Sequence, residues 1–316
     1  MTAKVFIDGA QGTTGLQIHD WLEGRADIEV VSLTEAERKD PAARAEMLNG
    51  CDLAILCLPD DAALEAVAMV ENPDVKVIDA STAHRVDGAW TYGFPELNAG
   101  QGEAIAAAKR VANPGCYAIA SVAMLVPLIQ AGLLPKDHPV TINAISGYSG
   151  GGRRLIESYE DKDSPDHTEA PFRVYGLGLE HKHVPEIEAH SGIGVRPLFV
   201  PSVGRFSQGM IVQLPLQLWA LEGKPSAKDV HGALEAHYQG RRFVTVMPLD
   251  DPAGMDGLEP EALNGTNELR LHVFANEDRE QAVVAGLLDN LGKGASGQAV
   301  QNLNLMLGLD EGAGLG

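Results

Sequence analysis

Residues 4–22 read KVFIDGAQGTTGLQIHDWL: a short apolar run, glycines at 9, 12 and 15, then an amphipathic stretch. Lys4–Asp8 suits a buried strand and the segment after Gly15 a helix, so the glycines fill a strand-to-helix turn. Small residues at G-x-x-G-x-x-G spacing let backbone amides approach a pyrophosphate, whose charge the helix N-terminus stabilises. A turn built only for tight packing also uses glycine, but a position at the first strand-to-helix turn of the chain favours the nucleotide. Gly9, Gln11, Gly12, Thr13, Thr14 and Gly15 are therefore candidate cofactor contacts.

Further along, apolar strands fit residues 28–33, 53–58 and 75–79, with helices around 41–48 and 62–70 between them. That alternation implies parallel pairing with right-handed crossovers and strands buried on both faces. The end of the second strand carries Ser32 and Thr34, with Arg38 and Lys39 following. Hydroxyls and cations in place of an acid suit a 2′-phosphate and point to NADP(H). Glu35 and Glu37 beside them support the plainer reading of a solvated charged helix.

Past residue 140 the pattern changes to longer runs, VTINAIS, RPLFVPSV, GMIVQLPLQLW, RFVTVMP and ELRLHVFAN, several alternating at period two. This is the mark of a half-exposed, largely antiparallel sheet. The fold class expected is α/β: a Rossmann-type parallel sheet domain over residues 1–116, then an α+β catalytic and oligomerisation domain over 117–295 with a largely antiparallel sheet. The last segment, 296–316, has Leu303, Met306 and Leu307 on one helical face and is expected to complete the first domain.

Composition narrows the function classes. The chain has 316 residues, room for two domains, and carries 24 Lys+Arg against 44 Asp+Glu, a net charge of −20. Without a concentrated basic face such a chain does not grip a phosphate backbone, so no nucleic-acid partner is expected. Three cysteines with no C-x-x-C spacing support neither a disulfide framework nor a thiolate zinc site. No apolar run approaches the roughly 20 residues of a membrane span, and the start MTAKVFIDGAQG lacks a targeting pattern. A cytoplasmic protein without a membrane partner is expected.

Cys116 stands in RVANPGCYAIASVAML, behind Asn-Pro-Gly and at the opening of an apolar helix. There a thiol feels the positive helix end and ionises more readily, and turn amides can hold an oxyanion beside it. Cys51 and Cys57 read instead as small buried hydrophobes. NPGCYA, followed by a helix containing Pro127, closely resembles the active-site signature of N-acetyl-gamma-glutamyl-phosphate reductases, relatives of aspartate-semialdehyde dehydrogenase. The glycine loop, DASTAHR (79–85), YGFPELN (92–98), GYSGGGR (147–153), HKHVPEI (181–187) and GASGQAVQNLN near the end agree with that family in order. The chain looks like the shorter of its two types, with Ile119 where the family usually has Thr, Met124 where a smaller residue is usual, and STAHR in place of SADFR.

The resemblance implies NADPH-dependent reduction of N-acetyl-γ-glutamyl phosphate to the semialdehyde, through a thioester on Cys116, in arginine biosynthesis. It implies that a histidine of HKHVPE is the acid/base partner, His183 preferred and His181 second, with Glu186 orienting it or the substrate. His181 and His183 do not share a helix face, and no third ligand accompanies them, so no metal is expected. An anionic substrate on an acidic protein requires locally concentrated donors. Arg85, Asn113, Ser149, Arg153 and Arg205 are the candidates for substrate and phosphate, with Arg154 beside them, and Gln298 joins the cofactor contacts. A homo-oligomer, dimer or tetramer, is expected. Two rivals stay open here: a sister reductase acting on aspartyl or carrier-linked aminoadipyl phosphate, and a nonenzymatic NADP-sensing protein.

Overall fold

The computed structural model describes residues 2–34, 36–249 and 255–315, and of Lys39 the backbone only. The chain divides into two compact units: residues 1–95, 99–115 and 295–316 form the first, and 96–98 with 116–294 the second.

The first unit is built from β1 (Ala3–Asp8), α1 (Thr13–Leu22), β2 (Ile28–Val31), α2 (Pro41–Gly50), β3 (Leu53–Leu56), α3 (Asp60–Ala68), β4 (Lys76–Asp79), β5 (Thr91–Tyr92), α4 (Gln101–Ala107) and β6 (Arg110–Ala112). Its six strands are all parallel, in the order β2-β1-β3-β4-β6-β5. Val5, Leu53, Ala54, Ile55, Leu56, Val77 and Ile78 are buried to within about one percent, as two-sided burial of a parallel sheet requires. The order reverses at β1, with β2 on one side and β3 on the other, which opens a crevice beyond the carboxyl ends of these strands. The second strand stops at Val31 rather than Leu33, because the chain leaves the sheet there and the Leu33 carbonyl accepts from Arg38 Nε at 3.2 Å.

The second unit opens with α5 (Cys116–Gln130) and continues through β7 (Thr141–Gly147), α6 (Gly152–Glu160), β8 (Phe172–Val174), α7 (Val184–Ser191), β9 (Leu198–Gly204), β10 (Met210–Gln217), α8 (Ala227–Tyr238), β11 (Val244–Val246), β12 (Leu269–Asn276) and β13 (Gln281–Leu288). The seven strands run β11-β12-β13-β10-β7-β9-β8. Four neighbouring pairs are antiparallel, and β7–β9 and β11–β12 are parallel. Within this mixed sheet β13 is a central, buried strand that period-two reading passes over. Gly286 on it lets α5 come close: a Cβ there would stand 3.4 Å from that of Ala120.

Helix α5 is buried along nearly its whole length although Pro127 interrupts it. Proline lacks the N–H that would reach the carbonyl four residues back, that of Ala123. The hydroxyl of buried Tyr238 donates to it instead at 2.9 Å, so the break is satisfied by α8. The last helix, α9 (Gly297–Leu307), belongs to the first unit, follows a π-helical turn at 292–296, and lies against α4 and α1.

Candidate active site

In the first unit the glycine loop leaves β1 at Asp8. Gly9 has φ +88°, and a Cβ on it would lie 2.3 Å from the Cys57 carbonyl oxygen. A Cβ on Gly15 would lie 2.6 Å from the Gly9 carbonyl oxygen. Both positions require glycine for close approach, and Gly9 for its conformation as well. Helix α1 has Gly12 as its N-cap and no side-chain cap, so the first-turn amides face the loop. A cavity of about 220 Å³ lies here, lined among others by Gly9, Gln11, His19, Ser32 and Arg38. Asp8, also on its wall, is ion-paired with Arg44 at 2.8 Å.

Of the residues expected to read a 2′-phosphate, Ser32 and Arg38 line this cavity. Thr34 is occupied elsewhere: its hydroxyl donates to Glu37 at 2.6 Å, its N–H to the same carboxylate at 2.9 Å, and these bonds hold the Glu37 carboxyl below its ordinary range. The Lys39 side chain lies outside the described residues.

DASTAHR forms the turn after β4. Asp79 accepts from the Ser81 hydroxyl at 2.7 Å and lies 2.7 Å from His84 Nδ1, whose ring stacks on Trp90. Arg85 is buried, and its guanidinium donates to the carbonyls of Ala80 and Asn113. The Asn113 amide donates to Ala295 O at 2.9 Å and accepts from Asn302 at 3.0 Å. Expected on substrate, Arg85 and Asn113 have these side-chain groups committed within the unit, where they brace the turn that leads to Cys116. Gln298 is fully buried; its Nε2 donates to Gly93 O at 2.8 Å, and its Oε1 has no hydrogen-bond partner among the described residues.

In the second unit Cys116 begins α5, with no acidic side chain in the first turn. Burial pushes the other two thiols up, Cys51 to about 11 and Cys57 to about 12. Cys57 lies one residue past β3, its N–H bonded to Asp8 O. Beside Cys116 stand two phenols: Tyr175 donates to the Tyr117 hydroxyl at 3.0 Å, and Tyr117 donates to Ser202 O at 3.2 Å. Desolvation raises both, and the charge of Cys116 acts on both in the same direction.

The histidines of HKHVPE precede α7 rather than ride on it, with His183 at its N-cap. The rings of His181 and His183 stand edge to face at 4.8 Å, and each lies within 6 Å of the Tyr117 ring. Burial lowers His181 to about 4, with Lys182 adding repulsion. Glu186 is buried in the first turn of α7. No group of His, Cys, Asp and Glu among the described residues is placed to hold a metal ion.

The glycine-rich loop 147–152 is held from below. A Cβ on Gly147 would meet the Ser207 carbonyl oxygen at 2.4 Å, and buried Ser149 accepts from Asn290 at 3.0 Å. Arg153 and Arg154 lie outside on α6, paired with Glu157 at 2.7 Å and Asp166 at 2.8 Å. Arg205 is exposed after β9 and reaches Thr168 O at 3.4 Å.

Two features were not legible in the sequence: the approach of Gly294 to Cys116 and the ion pair made by the residue next to it. A Cβ on Gly294 would stand 2.7 Å from that of Cys116, and Lys293, fully buried, bonds Glu96 at 2.9 Å. The only signal in the chain was a lysine set among glycines, GKGASG, and a glutamate within YGFPELN.

Two family models cover most of the chain: "Semialdehyde dehydrogenase, NAD binding domain" matches residues 4–107, and "Semialdehyde dehydrogenase, dimerisation domain" matches 116–290. An N-acetyl-gamma-glutamyl-phosphate reductase 2 of Pseudomonas putida is 55% identical over 308 residues, 97% of each chain. The Burkholderia cenocepacia reductase is 55% identical over 309 residues, 98% of each, and a Nostoc reductase 53% over 318, 99% of each. Among solved structures, aspartate semialdehyde dehydrogenase II of Vibrio cholerae superposes with TM-score 0.72 at 15% identity, covering 97% of this chain and 98% of its own. The Candida albicans enzyme solved with NADP gives 0.67 at 14%, covering 97% and 99%; at such identity the likeness is one of fold. With its glycine-loop unit, its Cys116 helix and full-length identity above one half, the chain belongs to the semialdehyde dehydrogenase family, among the N-acetyl-gamma-glutamyl-phosphate reductases.

Proposed function

We propose that this chain reduces N-acetyl-γ-glutamyl phosphate to N-acetylglutamate semialdehyde with NADPH, releasing phosphate, as a step of arginine biosynthesis. The observation that carries the reading is Cys116: it opens a buried helix with no acid in its first turn, next to Tyr117, whose ring touches both histidines of HKHVPE.

The first unit fits a dinucleotide. Two glycines admit no side chain, the α1 amides are uncapped, and a cavity at the sheet's reversal presents Ser32 and Arg38. Gln298 adds a buried acceptor lacking a donor, suited to an amide N–H of the ligand. NADPH, when bound, supplies the hydride that reduces the acyl carbon.

The remaining chemistry belongs to side chains. Cys116 as thiolate attacks the acyl carbon; the C–S bond forms, the bond to the phosphate oxygen breaks, and a thioester remains. Sulfur donates less electron density to the carbonyl than oxygen, which leaves that carbon open to reduction. Amides of the α5 first turn favour negative charge on Sγ and beside it. His183 gives a proton to the oxyanion that reduction leaves and takes it back as the C–S bond breaks. Glu186, buried in the first turn of α7, orients that histidine or the substrate. Ser149 and the loop amides receive the anionic end of the substrate, with Arg153 and Arg205 supplying positive charge at the rim. The protein works as a cytoplasmic homo-oligomer, dimer or tetramer, in keeping with the dimerisation-domain match over 116–290.

A reverse-direction panel tests the reading: NADP, phosphate or arsenate, and several amino-acid semialdehydes. N-acetylglutamate semialdehyde is expected to give phosphate-dependent NADPH formation well above aspartate semialdehyde. Preference for another aldehyde would assign the chain to a sister reductase, and no turnover with any would sink the enzymatic reading.

A further inference from the structure

Glu96 and Lys293 form an ion pair deep in the second unit, with Lys293 Nζ 2.9 Å from Glu96 Oε1 and the two side chains 0% and 2% exposed. Burying two charges is costly, and an apolar pair of similar size often does as well or better for stability. Such a pair is best understood by what its position fixes. Lys293 lies between Gly292, where a Cβ would overlap the Thr266 carbonyl oxygen, and Gly294, where a Cβ would stand 2.7 Å from that of Cys116 and 3.3 Å from its Cα. The Gly294 N–H donates to Asp289 O at 2.9 Å, so the turn is tied at that point too. The ammonium also lies 5.5 Å from the centre of the Phe243 ring.

On the other side, Glu96–Asn98 are, among the described residues, the only ones before Cys116 that belong to the second unit. They are anchored there by backbone carbonyls: Leu97 O lies 3.0 Å from His237 Nε2, and Asn98 O accepts from Arg241 at 3.0 Å. The carboxylate is thus delivered by a segment fixed on α8 and just beyond it, while the ammonium is delivered by the turn touching the thiol residue.

We propose that the Glu96–Lys293 pair holds Gly294 against Cys116 and so sets the position of the thiol; both are positioning residues for the reaction. This rests on Cys116 being the nucleophile. Gly294 has no side chain to be gripped, so its position against Cys116 is set through its neighbours, and the Lys293 side chain next to it is held by the buried pair. Loosening it lets the turn retreat and gives Sγ room to leave its attacking orientation.

The test compares the full-length protein with Glu96→Asp, which keeps both charges but shortens the reach, and with the double change Glu96→Leu with Lys293→Met, which leaves no unpaired charge. Five quantities are read: melting temperature, NADP affinity, kcat, KM, and the pH profile of iodoacetamide alkylation at Cys116. Expected are near-parental melting and NADP affinity in at least one variant, with slower alkylation, a displaced pH profile, and kcat lowered about 10²-fold, the scale of an ångström's misplacement. KM is expected to move far less. A folded variant with parental alkylation profile and kcat overturns the proposal. Should the double variant fail to fold, the same reading on Glu96→Asp decides. In the parental protein, activity must fall in step with Cys116 alkylation; activity surviving complete alkylation would instead remove Cys116 as nucleophile.

Discussion

The backbone N–H of His183 donates to Nδ1 of His181 at 3.2 Å, which fixes the tautomer of the first histidine of this short motif. Nδ1 of His181 is an acceptor, which leaves any ring proton on Nε2, and burial lowers this imidazole to about 4. At neutral pH it is a neutral ring and a poor proton donor, which favours His183 as the acid/base. His183→Asn is expected to cost roughly 10²–10⁴-fold in rate, the usual range for acid/base work, and His181→Asn clearly less. Single-turnover rapid quench, reading phosphate release against NADPH oxidation, checks it; a larger loss in His181→Asn would reverse the roles.

The same burial gives stability a pH dependence. Below the unfolded value of 6.5 the unfolded chain takes up a proton that folded His181 refuses until about 4. Stability contributed by neutral His181 is therefore complete above that unfolded value and is lost as pH falls through this window. His237, also lowered chiefly by burial, acts in the same sense. Melting temperature is expected to drop between those limits, and His181→Phe to flatten part of the drop; an unchanged slope would show that the imidazole is not held neutral.

Thiol chemistry separates the three cysteines. Thiolate is the reactive form, and burial pushes Cys51 to about 11 and Cys57 to about 12, which keeps both protonated at pH 8. Substoichiometric iodoacetamide is expected to label Cys116 first by peptide mapping, and equal labelling would contradict this. Cys116→Ser is expected to abolish turnover while NADP binding and melting stay near parental.

How far the chain could be read differs by element. The parallel sheet was legible because its strands are short apolar runs separated by helical periods, and the glycine turn announced its position. The central strand β13 was not: QAVVAGLL has no alternation, since both faces are buried, and its glycine obscures the pattern. Cys116 was legible because a Pro-Gly turn and an apolar helix lie in one short segment. The Glu96–Lys293 contact joins residues 197 positions apart, and nothing local in either segment encodes it. Thr34 and Arg38 both stand out in sequence as candidates for a 2′-phosphate; only the bonds to Glu37 show that the threonine hydroxyl is already occupied.

That distinction sets the cofactor prediction. NADP is expected to bind tighter than NAD, and Arg38→Ala to narrow the ratio by removing a cation from the cavity wall. Thr34→Ala is expected to leave the ratio nearly unchanged. Titration of both nucleotides against each variant by fluorescence or calorimetry checks it, and an unchanged ratio in Arg38→Ala would pass the role to Ser32 or Lys39.

Gln298 carries a buried amide that is only half satisfied. Its Nε2 is engaged by Gly93 O at 2.8 Å and by Asn302 at 3.3 Å, which fixes the amide plane, while Oε1 is buried without a donor among the described residues. An unmet buried acceptor costs about 1–3 kcal/mol, and a ligand that brings an N–H recovers it. Part of the stabilisation by NADP is therefore expected to pass through this atom. Gln298→Glu keeps an acceptor but loses the amide donors to Gly93, so it is expected to lower the melting temperature of the protein without nucleotide. Gln298→Leu removes the orphaned acceptor together with the donors, so its melting temperature is expected to respond least to added NADP. Thermal shift with and without NADP separates the two effects. A parental increment on NADP addition in Gln298→Leu would show that the ligand does not meet this oxygen, and that Gln298 serves only to hold Gly93 and Asn302 in place.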